Sequence, residues 1–472
     1  MSSLIGRESE LAQLREYASS DRAEFVAVYG RRRVGKTFLI TETFGNEFDF
    51  ETSGVLNGSR EEQMFSFFSS LKASGYGGKM PRNWMESFDA LKSVLEPRLK
   101  KKKVIVFIDE LPCLDTPKSG LIKAVDQFWN TWAGRHRNIK LIVCGSATTW
   151  IIDNLIDNHG GLHNRITHEL HLHPFTLRET FDYLAANGFR WNRLMTAQIY
   201  MILGGIPYYL SLLDRRHSVP ENIDRLFFSA DGELYREYDR LFSSLFKSPQ
   251  PYLKVVQLLA ENGRGLTRNE ISERLNWETG GSLSKVLTNL EHCDFIRKYS
   301  VRDKKINERN GLYQLTDFYT HFHNSFCRKR TTDEHYWSTA LNTHRQNNWY
   351  GLAFERLCMA HIPQIKSALG IDRIHTEYYS WRSRESTPAA QIDLLIERAD
   401  HIVNLCEIKY SKGQYAIDVK EESSLRNRIS DFERETGLNA AVHLTLITTF
   451  GLKENIHSSE VVNIVLLDDL FR

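Results

Sequence analysis

The stretch VYGRRRVGKTFL, residues 28–39, places two glycines, a lysine and a threonine directly after an apolar run. Residues Gly30 to Thr37 match the pattern G-x-x-x-x-G-K-[ST]. Gly30 and Gly35 allow the backbone to curl until successive amides converge on phosphate oxygens. The pattern also follows a predicted strand and opens a predicted helix, whose N-terminus attracts anions. The stretch therefore predicts a phosphate-binding loop for a nucleotide.

The residue types in this loop predict the cofactors. The amino group of Lys36 can reach the outer phosphates, and the hydroxyl of Thr37 is suited to Mg²⁺. The expected cofactors are therefore ATP or ADP together with Mg²⁺. Spacing alone assigns no chemistry to the three consecutive arginines. The residues predicted to line the nucleotide are Gly30, Arg31, Arg32, Arg33, Val34, Gly35, Lys36, Thr37 and Phe38.

A second predicted strand, VIVFIDE at 104–110, ends in two acids. Two adjacent carboxylates pack poorly at the end of an apolar strand, so a functional interpretation is favoured. Asp109 can hold Mg²⁺ through water, and Glu110 can polarise the attacking water. Ser146, at the end of a third predicted strand, either senses the γ-phosphate or caps the strand.

The composition constrains the class of protein and its partners. The chain has 472 residues and a net charge of +2, so a nucleic-acid partner would have to be bound by local basic patches. The basic run RLKKKK at 98–103 is better explained as a solvated helix end. Six cysteines without a CxxC pair predict reduced thiols and a cytoplasmic protein. The sequence shows neither a signal peptide nor an apolar run of about 18 residues, so we expect no membrane association.

A second acidic cluster is predicted near the end of the chain. Asp393 stands in QIDLLIE, and Glu407 and Lys409 stand two residues apart in LCEIKY, so both project from one face of a strand. Asp393 precedes them by the length of a hairpin. Paired carboxylates bind Mg²⁺ or Mn²⁺, and Lys409 could position or deprotonate a water. Glu355, in GLAFE, could complete the ligand set. The alternative is a salt-bridged strand pair in a domain that only binds.

Several segments together resemble the archaeal-type ATPase family of the AAA+/STAND group of P-loop ATPases. They are IGRESELAQL, GRRRVGKT, FIDELP, NRIT and GGIPYYL, and the resemblance covers residues 4–330. It implies that Gly6 and Arg7 lie near the adenine. It also implies that Arg165 contacts phosphate, with Arg178 a weaker candidate. Whether Arg165 would act on its own nucleotide or on that of a neighbouring copy in a homo-oligomer is left open.

The same resemblance implies a lid that reports the nucleotide state. Its Gly-x-Pro turn is matched by Gly205, Ile206 and Pro207, and the lid is followed by a winged helix. The order of helix, short helix, helix and β-ribbon after residue 252 is also typical of a winged helix. The predicted recognition helix balances one lysine with one glutamate, so coupling within the chain is favoured over duplex binding.

Residues 349–450 resemble the PD-(D/E)xK nuclease core in its DUF234-type form, which often follows archaeal-type ATPases. The proline of that pattern is absent, since Gln391 and Ile392 precede Asp393. The resemblance implies catalytic roles for Asp393, Glu407 and Lys409. It implies metal binding by Glu355, Asp393 and Glu407.

The expected fold class is α/β, with a P-loop parallel-sheet core, a helical lid, a winged helix and an α/β restriction-endonuclease-like domain. The predicted domains are 1–170, 171–247, 248–330 and 331–472, in that order. The expected function is an ATP-hydrolysing switch that controls a metal-dependent nuclease acting on nucleic acid. The alternative is a regulatory ATPase whose inactive C-terminal domain binds nucleic acid or a regulatory protein.

Overall fold

The chain divides into two compact units, Met1–Pro174 and Phe175–Arg472. The first predicted boundary, at residue 170, lies close to the border between these units, and the other two lie inside the second unit. The computed structural model describes residues 4–157, 160–162, 164–263, 265–277, 280–302, 306–329, 331–383, 385 and 390–472. None of the helices in these ranges is both long and apolar enough to cross a membrane.

The first unit is built on a parallel sheet in the order β2-β3-β4-β1-β5. Its strands are β1 (Glu24–Tyr29), β2 (Phe50–Ser53), β3 (Val104–Asp109), β4 (Ile139–Gly145) and β5 (His168–His171). Its helices are α1 (Glu8–Ser19), α2 (Lys36–Phe44), α3 (Arg60–Ala73), α4 (Trp84–Leu99), α5 (Leu111–Leu114), α6 (Leu121–Thr131) and α7 (Thr148–Ile151). Because the strands are parallel, their carboxyl ends meet at one edge.

Burial explains why the sequence predicted three of these strands and missed two. Every residue of β1 and β4 is buried, as expected for central strands of a parallel sheet. β2 and β5 have four residues each and lie at the two edges of the sheet. The sequences FETS and HELH each contain only one apolar residue, which is too little to indicate a strand.

The second unit contains thirteen helices and eight strands in its described residues. The helices are α8 (Leu177–Ala186), α9 (Arg193–Leu203), α10 (Pro207–Ser211), α11 (Val219–Ile223), α12 (Glu233–Leu245), α13 (Gln250–Glu261), α14 (Arg268–Arg274), α15 (Gly281–His292), α16 (Phe318–Phe322), α17 (Tyr336–Thr339), α18 (His344–Ala360), α19 (Ile362–Ala368) and α20 (Val419–Thr436). The strands are β6 (Leu266–Thr267), β7 (Ile296–Arg302), β8 (Ile306–Leu315), β9 (Thr376–Arg382), β10 (Gln391–Arg398), β11 (Ile402–Lys409), β12 (Ala441–Thr448) and β13 (Val461–Leu466).

These strands form one mixed sheet in the order β13-β12-β11-β10-β9-β7-β8-β6. The three helices α13 to α15 and the antiparallel ribbon β7–β8 follow the order predicted from the sequence. β7 also pairs with β9, where Val301 lies opposite Ser380. The predicted boundary at residue 330 therefore falls between elements that share a sheet.

The acidic strands β10 and β11 are antiparallel neighbours in this sheet. On its other side, β11 pairs in parallel with β12. Helix α20 packs on the sheet through Leu425 and Phe432, which join Leu395 and Leu405 in one apolar cluster. This packing holds the face that carries Glu407 against a helix.

His323 and His361 are two of the buried histidines in the second unit, and both are neutral. His361 Nε2 accepts a 3.0 Å hydrogen bond from Leu177 N, and its Nδ1 lies 2.8 Å from the Leu357 carbonyl oxygen. The ring of His323 stacks on Tyr238 at 4.1 Å. Burial lowers the pKa of each imidazole to about 4. These histidines contribute packing.

Acidification is expected to destabilise the second unit between about pH 6.5 and about pH 4. In the unfolded chain both imidazoles take up protons near pH 6.5, whereas in the folded unit they remain neutral until about pH 4. The free energy of unfolding should therefore fall by roughly 2 kcal/mol per histidine near pH 5. Urea titrations read by hydrogen exchange of peptides from this unit, corrected for intrinsic exchange rates, measure the loss.

The matched variants separate these histidines from other titrating groups. His323→Gln combined with His361→Gln should reduce the acid-induced loss, because an amide does not titrate. His344→Gln is the control, since His344 is exposed. An acid-induced loss of unchanged size in the double variant would contradict the assignment.

Candidate functional site

The loop between β1 and α2 depends on positive φ angles, which residues other than glycine rarely adopt. The φ angles of Gly30, Arg33 and Gly35 are 143°, 74° and 91°. A Cβ on Gly30 would lie 2.3 Å from the carbonyl oxygen of Leu172, and Leu172 N donates a 2.7 Å hydrogen bond to Tyr29 O. The loop therefore needs glycine at residue 30 for space as well as for φ.

Lys36 lies inside the loop at the start of α2. Its side chain is buried, and Nζ donates hydrogen bonds of 2.9 Å to Gly30 O and 3.1 Å to Arg31 O. Backbone carbonyls accept these bonds without neutralising the ammonium charge. The buried charge and the N-terminus of α2 together make the loop attractive to an anion.

Asp109, at the carboxyl end of β3, contacts the loop helix. Thr37 Oγ1 donates a 3.1 Å hydrogen bond to Asp109 Oδ2. Asp109 Oδ1 accepts hydrogen bonds from Glu110 N at 3.0 Å and from the thiol of Cys144 at 2.5 Å. Burial, and next the charge of Asp109, raise the pKa of Cys144 well above its ordinary value, so the thiol keeps its proton.

Glu110 is held by the end of the neighbouring strand. Its Oε2 accepts hydrogen bonds of 3.0 Å from both Ser146 N and Ser146 Oγ. The residue adopts a left-handed conformation with φ 44°. Such strain in a non-glycine residue is most often found at functional sites. The structure thus brings Ser146 to the acid pair, at the edge where the loop also lies.

The remaining residues predicted around the nucleotide lie in different environments. Arg31 and Val34 are almost completely buried, Arg32 and Arg33 are half-buried, and Phe38 is exposed. Gly6 has φ 68° and leads into α1, where the side chain of Arg7 is buried. Arg7 Nη2 donates to the backbone carbonyls of Val34 at 3.3 Å and His173 at 2.6 Å.

The structure does not bring Arg165 to the phosphate loop. In the parallel pair β1–β5, His168 lies opposite Val26, and Thr167 N donates to Phe25 O. Arg165 therefore lies beyond the amino edge of the sheet, whereas the loop follows its carboxyl edge. At about 3.3 Å per residue, β1 separates the two edges by roughly 17 Å. Arg165 therefore does not contact the phosphate loop of its own chain, and a contact with the nucleotide of a neighbouring copy stays a prediction.

Two residues that were predicted for the nucleotide site, Arg178 and Pro207, lie in the second unit. Arg178 is exposed and pairs with Asp182 one helical turn away, at 2.7 Å. Pro207 begins α10 after Gly205, whose carbonyl accepts a 2.8 Å hydrogen bond from Phe175 N. A Cβ on Gly205 would lie 2.3 Å from Phe175 O, so this turn requires glycine.

The acidic cluster of the second unit is formed by β10, β11, α18 and α20. Leu394 pairs with Cys406, and Asp393 and Glu407 are the next residues beyond this pair. Lys409 Nζ lies 3.0 Å from Glu407 Oε1 and 2.9 Å from Glu421 Oε1. Burial opposes the charge of Lys409, but Glu407 and the hydrogen bonds to Glu421 and Glu407 outweigh it and raise the pKa. Lys409 is therefore suited to position a water rather than to deprotonate it.

Arg428 of α20 forms an ion pair with Glu407. Its Nη1 lies 2.7 Å from Glu407 Oε2, and its Nη2 lies 3.3 Å from Oε1. Sequence reasoning missed this arginine. It lies between Leu425 and Phe432, which are both buried. The available signal was therefore a basic residue among apolar residues at helical spacing.

Glu355 lies close enough to the other acids to feel their charge. Burial, followed by the charge of Asp393, raises the pKa of Glu355 to about 8, and Glu407 adds to the shift. Gln391 Nε2 donates a 2.8 Å hydrogen bond to Asp393 Oδ1. As the described residues stand, the carboxylate oxygens of Glu355, Asp393 and Glu407 do not all lie within 4.8 Å of one another.

Comparison with protein families identifies the first part of the chain. Residues 4–213 match the model of a family described as an ATPase domain predominantly from Archaea. This segment is similar to archaeal ATPase domains. Together with the loop geometry, the match indicates a P-loop ATPase.

Individual relatives and solved structures are also similar to the chain. It is 25% identical over 321 residues to an uncharacterized protein of Methanocaldococcus jannaschii, covering 68% of this chain and 67% of the relative. The Walker-type ATPase of Pyrococcus abyssi is 18% identical with a TM-score of 0.46, covering 68% of this chain and 96% of its own. The ORC2 protein of Aeropyrum pernix, solved as ADPNP–ADP complexes, is 15% identical with a TM-score of 0.43. The match covers 68% of this chain and 92% of the ORC2 chain.

Substitution of Gly30 by alanine is expected to destabilise the ATPase domain by about 3 kcal/mol or more, because the new Cβ would meet Leu172 O and adopt an unfavourable φ. Gly75→Ala is the matched control. Gly75 has φ 97° but no atom within 4 Å of an added Cβ, so only about 1 kcal/mol of strain is expected. Hydrogen exchange of β1 peptides under urea measures both losses. Equal losses in the two variants would contradict the steric argument.

Proposed function

We propose that the protein is an ATP-driven switch. Its phosphate loop binds and hydrolyses Mg²⁺–ATP, and its C-terminal acidic cluster acts with a divalent cation on phosphodiester bonds of nucleic acid. The single observation that carries the first half is the hydrogen bond between Thr37 and Asp109, which brings a hydroxyl and a carboxylate together beside the buried ammonium of Lys36.

The residues near Thr37 fit Mg²⁺. Thr37 Oγ1 and Asp109 Oδ2 are 3.1 Å apart. Thr37 would bind Mg²⁺ through its hydroxyl, and Asp109 would hold the ion through a bound water. Both atoms are hard oxygen donors, which this ion prefers. When bound with the nucleotide, Mg²⁺ neutralises charge on the transferred phosphoryl group.

The side chains around the loop have separate roles in ATP binding and hydrolysis. Lys36, whose ammonium group lies inside the loop, holds the outer phosphates by its positive charge. Glu110 polarises the attacking water, and Ser146 fixes the direction of that carboxylate through two hydrogen bonds to one oxygen. Cys144 and Glu110 N together hold Asp109 Oδ1, so that Oδ2 faces Thr37.

Lys36→Ala is expected to abolish ATP binding, because a buried charge that balances the triphosphate is lost. Glu110→Gln should bind ATP with ordinary affinity but hydrolyse it at least about 100-fold more slowly, since an amide cannot accept a proton from water. Calorimetric ATP titration and phosphate release measure the two effects.

Exposed residues of the same unit provide the controls. Lys72→Ala removes an exposed ammonium group and Glu47→Gln removes an exposed carboxylate. Both variants should leave ATP binding and hydrolysis unchanged. Ordinary ATP binding by Lys36→Ala would falsify the assignment of the phosphate loop.

The proposed nuclease role is supported by Asp393 and Glu407, which lie on neighbouring antiparallel strands, with Lys409 beside Glu407. Their donor chemistry suits Mg²⁺ or Mn²⁺. Their arrangement does not yet fit a bound ion, because Arg428 and Lys409 engage Glu407 and the three carboxylates do not converge. A metal ion and Arg428 therefore compete for the same oxygens.

A second candidate function rests on that same contact. A carboxylate paired with an arginine and a lysine is also what a structural ion network requires. In that case the C-terminal part would bind nucleic acid or a regulatory protein without cleaving anything. The two functions differ in whether the cluster binds metal.

Arg428→Gln is expected to raise the affinity for Mn²⁺ by about tenfold, since the competing cation is removed from Glu407. Calorimetric titration of the nucleotide-free full chain with Mn²⁺ measures the change. The matched control is Arg426→Gln on the same helix, because Arg426 pairs with Glu422 and Glu460 instead.

Cleavage assays on plasmid DNA and on RNA complete the test. Wild-type protein with Mn²⁺ should cut one of these substrates, and Asp393→Ala should not. Unchanged Mn²⁺ affinity in Arg428→Gln, together with no cleavage by any form, would exclude the nuclease role and favour the binding role.

A further inference from the structure

The side chain of Arg7 reaches the phosphate loop from outside. Arg7 stands at the N-terminus of α1 with φ 65°, directly after Gly6 at φ 68°. Only 4% of its surface is exposed. Nη2 donates to His173 O at 2.6 Å and to Val34 O at 3.3 Å, while Nη1 lies 3.3 Å from Glu10 Oε1. One guanidinium thus connects α1, the loop and the segment after β5.

The contact with Val34 determines the direction of the next amide. A trans peptide is planar, and its C=O and N–H groups point in opposite directions. Because the Val34 carbonyl points toward Arg7, the N–H of Gly35 points away from it. Gly35 immediately precedes α2, where free amides collect at a helix N-terminus and receive anions. Arg7 therefore controls one of the amides that would contact a phosphate.

The loop is held from its other end by a different cation. Lys36 Nζ binds Gly30 O and Arg31 O, which orients the peptides at the start of the loop. Arg7 holds the peptide at its end. Gly35 itself resists reorientation poorly, because glycine has no Cβ to restrict its φ and no atom lies within 4 Å of where a Cβ would be. An external hydrogen bond is what keeps this flexible peptide in place.

We propose that Arg7 is a positioning residue for phosphate binding, which acts by orienting the Gly35 amide. This differs from the implication of the family resemblance, which placed Gly6 and Arg7 beside the adenine. The contacts of Arg7 with two backbone carbonyls and Glu10 direct its guanidinium toward the loop backbone. The inference rests on the proposed binding of ATP at this loop.

Titration of the full chain with four ligands separates the two roles. Arg7→Gln should weaken binding of ATP and of inorganic tripolyphosphate by about tenfold or more, because a misdirected amide affects the outer phosphates. AMP affinity and the ratio of ATP to GTP affinity should not change. Arg7→Lys should show an intermediate loss, since the shorter lysine keeps the charge but does not place a donor where Nη2 contacts both carbonyls.

The controls address folding and the underlying function. Glu10→Gln removes the ion pair but leaves both carbonyl bonds, so it should bind tripolyphosphate like the wild type. Calorimetric stoichiometry should stay at wild-type values in Arg7→Gln, whereas a misfolded fraction would lower it. If the wild type and Lys36→Ala bind ATP equally, the proposed function fails whatever the Arg7 variants do.

Two results would overturn the proposal itself. A parallel loss of AMP affinity, or an altered ATP to GTP ratio, would show that Arg7 contacts the base. Unchanged tripolyphosphate binding in both Arg7 variants would show that the contact with Val34 has no effect on phosphate recognition.

Discussion

The parallel pairing of β1 with β4, and of β4 with β3, is the constraint on which the nucleotide site depends. It brings three carboxyl ends to one edge of the sheet, although the residues there are far apart in the chain. Thr37 and Asp109 are separated by 72 positions and yet share a hydrogen bond. Glu110 and Ser146 meet for the same reason, across neighbouring strands. The buried strands make this edge rigid, because shifting any of them would expose apolar surface.

Buried charges are treated differently in the two units. In the first unit, Lys36 and Arg7 both donate hydrogen bonds to backbone carbonyls, and Arg7 also contacts Glu10. A carbonyl satisfies a donor without adding a negative charge beside it. In the second unit, Glu407 is paired with Arg428 and Lys409, which neutralise it. The first arrangement is ready for a ligand, whereas the second must lose a contact before a cation can bind.

Local sequence signals predicted the elements that are long and strongly buried. Strands β1, β3 and β4, the glycine loop and the order from α13 to β8 follow directly from apolar periodicity and turn residues. The edge strands β2 and β5 were missed, because four residues with one apolar side chain carry little information. The distance of Arg165 from the loop of its own chain could not be predicted, since it depends on the direction of β5 relative to β1. Arg428 was missed because its contact joins a helix to a strand far from it in sequence.

The sequence by itself determined the phosphate loop, the acids after the second long strand and the facing of Glu407 and Lys409. These follow from chain geometry over a few residues, where glycine conformation, strand alternation and helix start signals act locally. The tertiary structure alone decided which groups these residues meet. Ser146 against Glu110, Cys144 against Asp109, Arg7 against Val34 and Arg428 against Glu407 are all contacts between distant segments. Such contacts depend on strand order and helix packing, which no short stretch of sequence encodes.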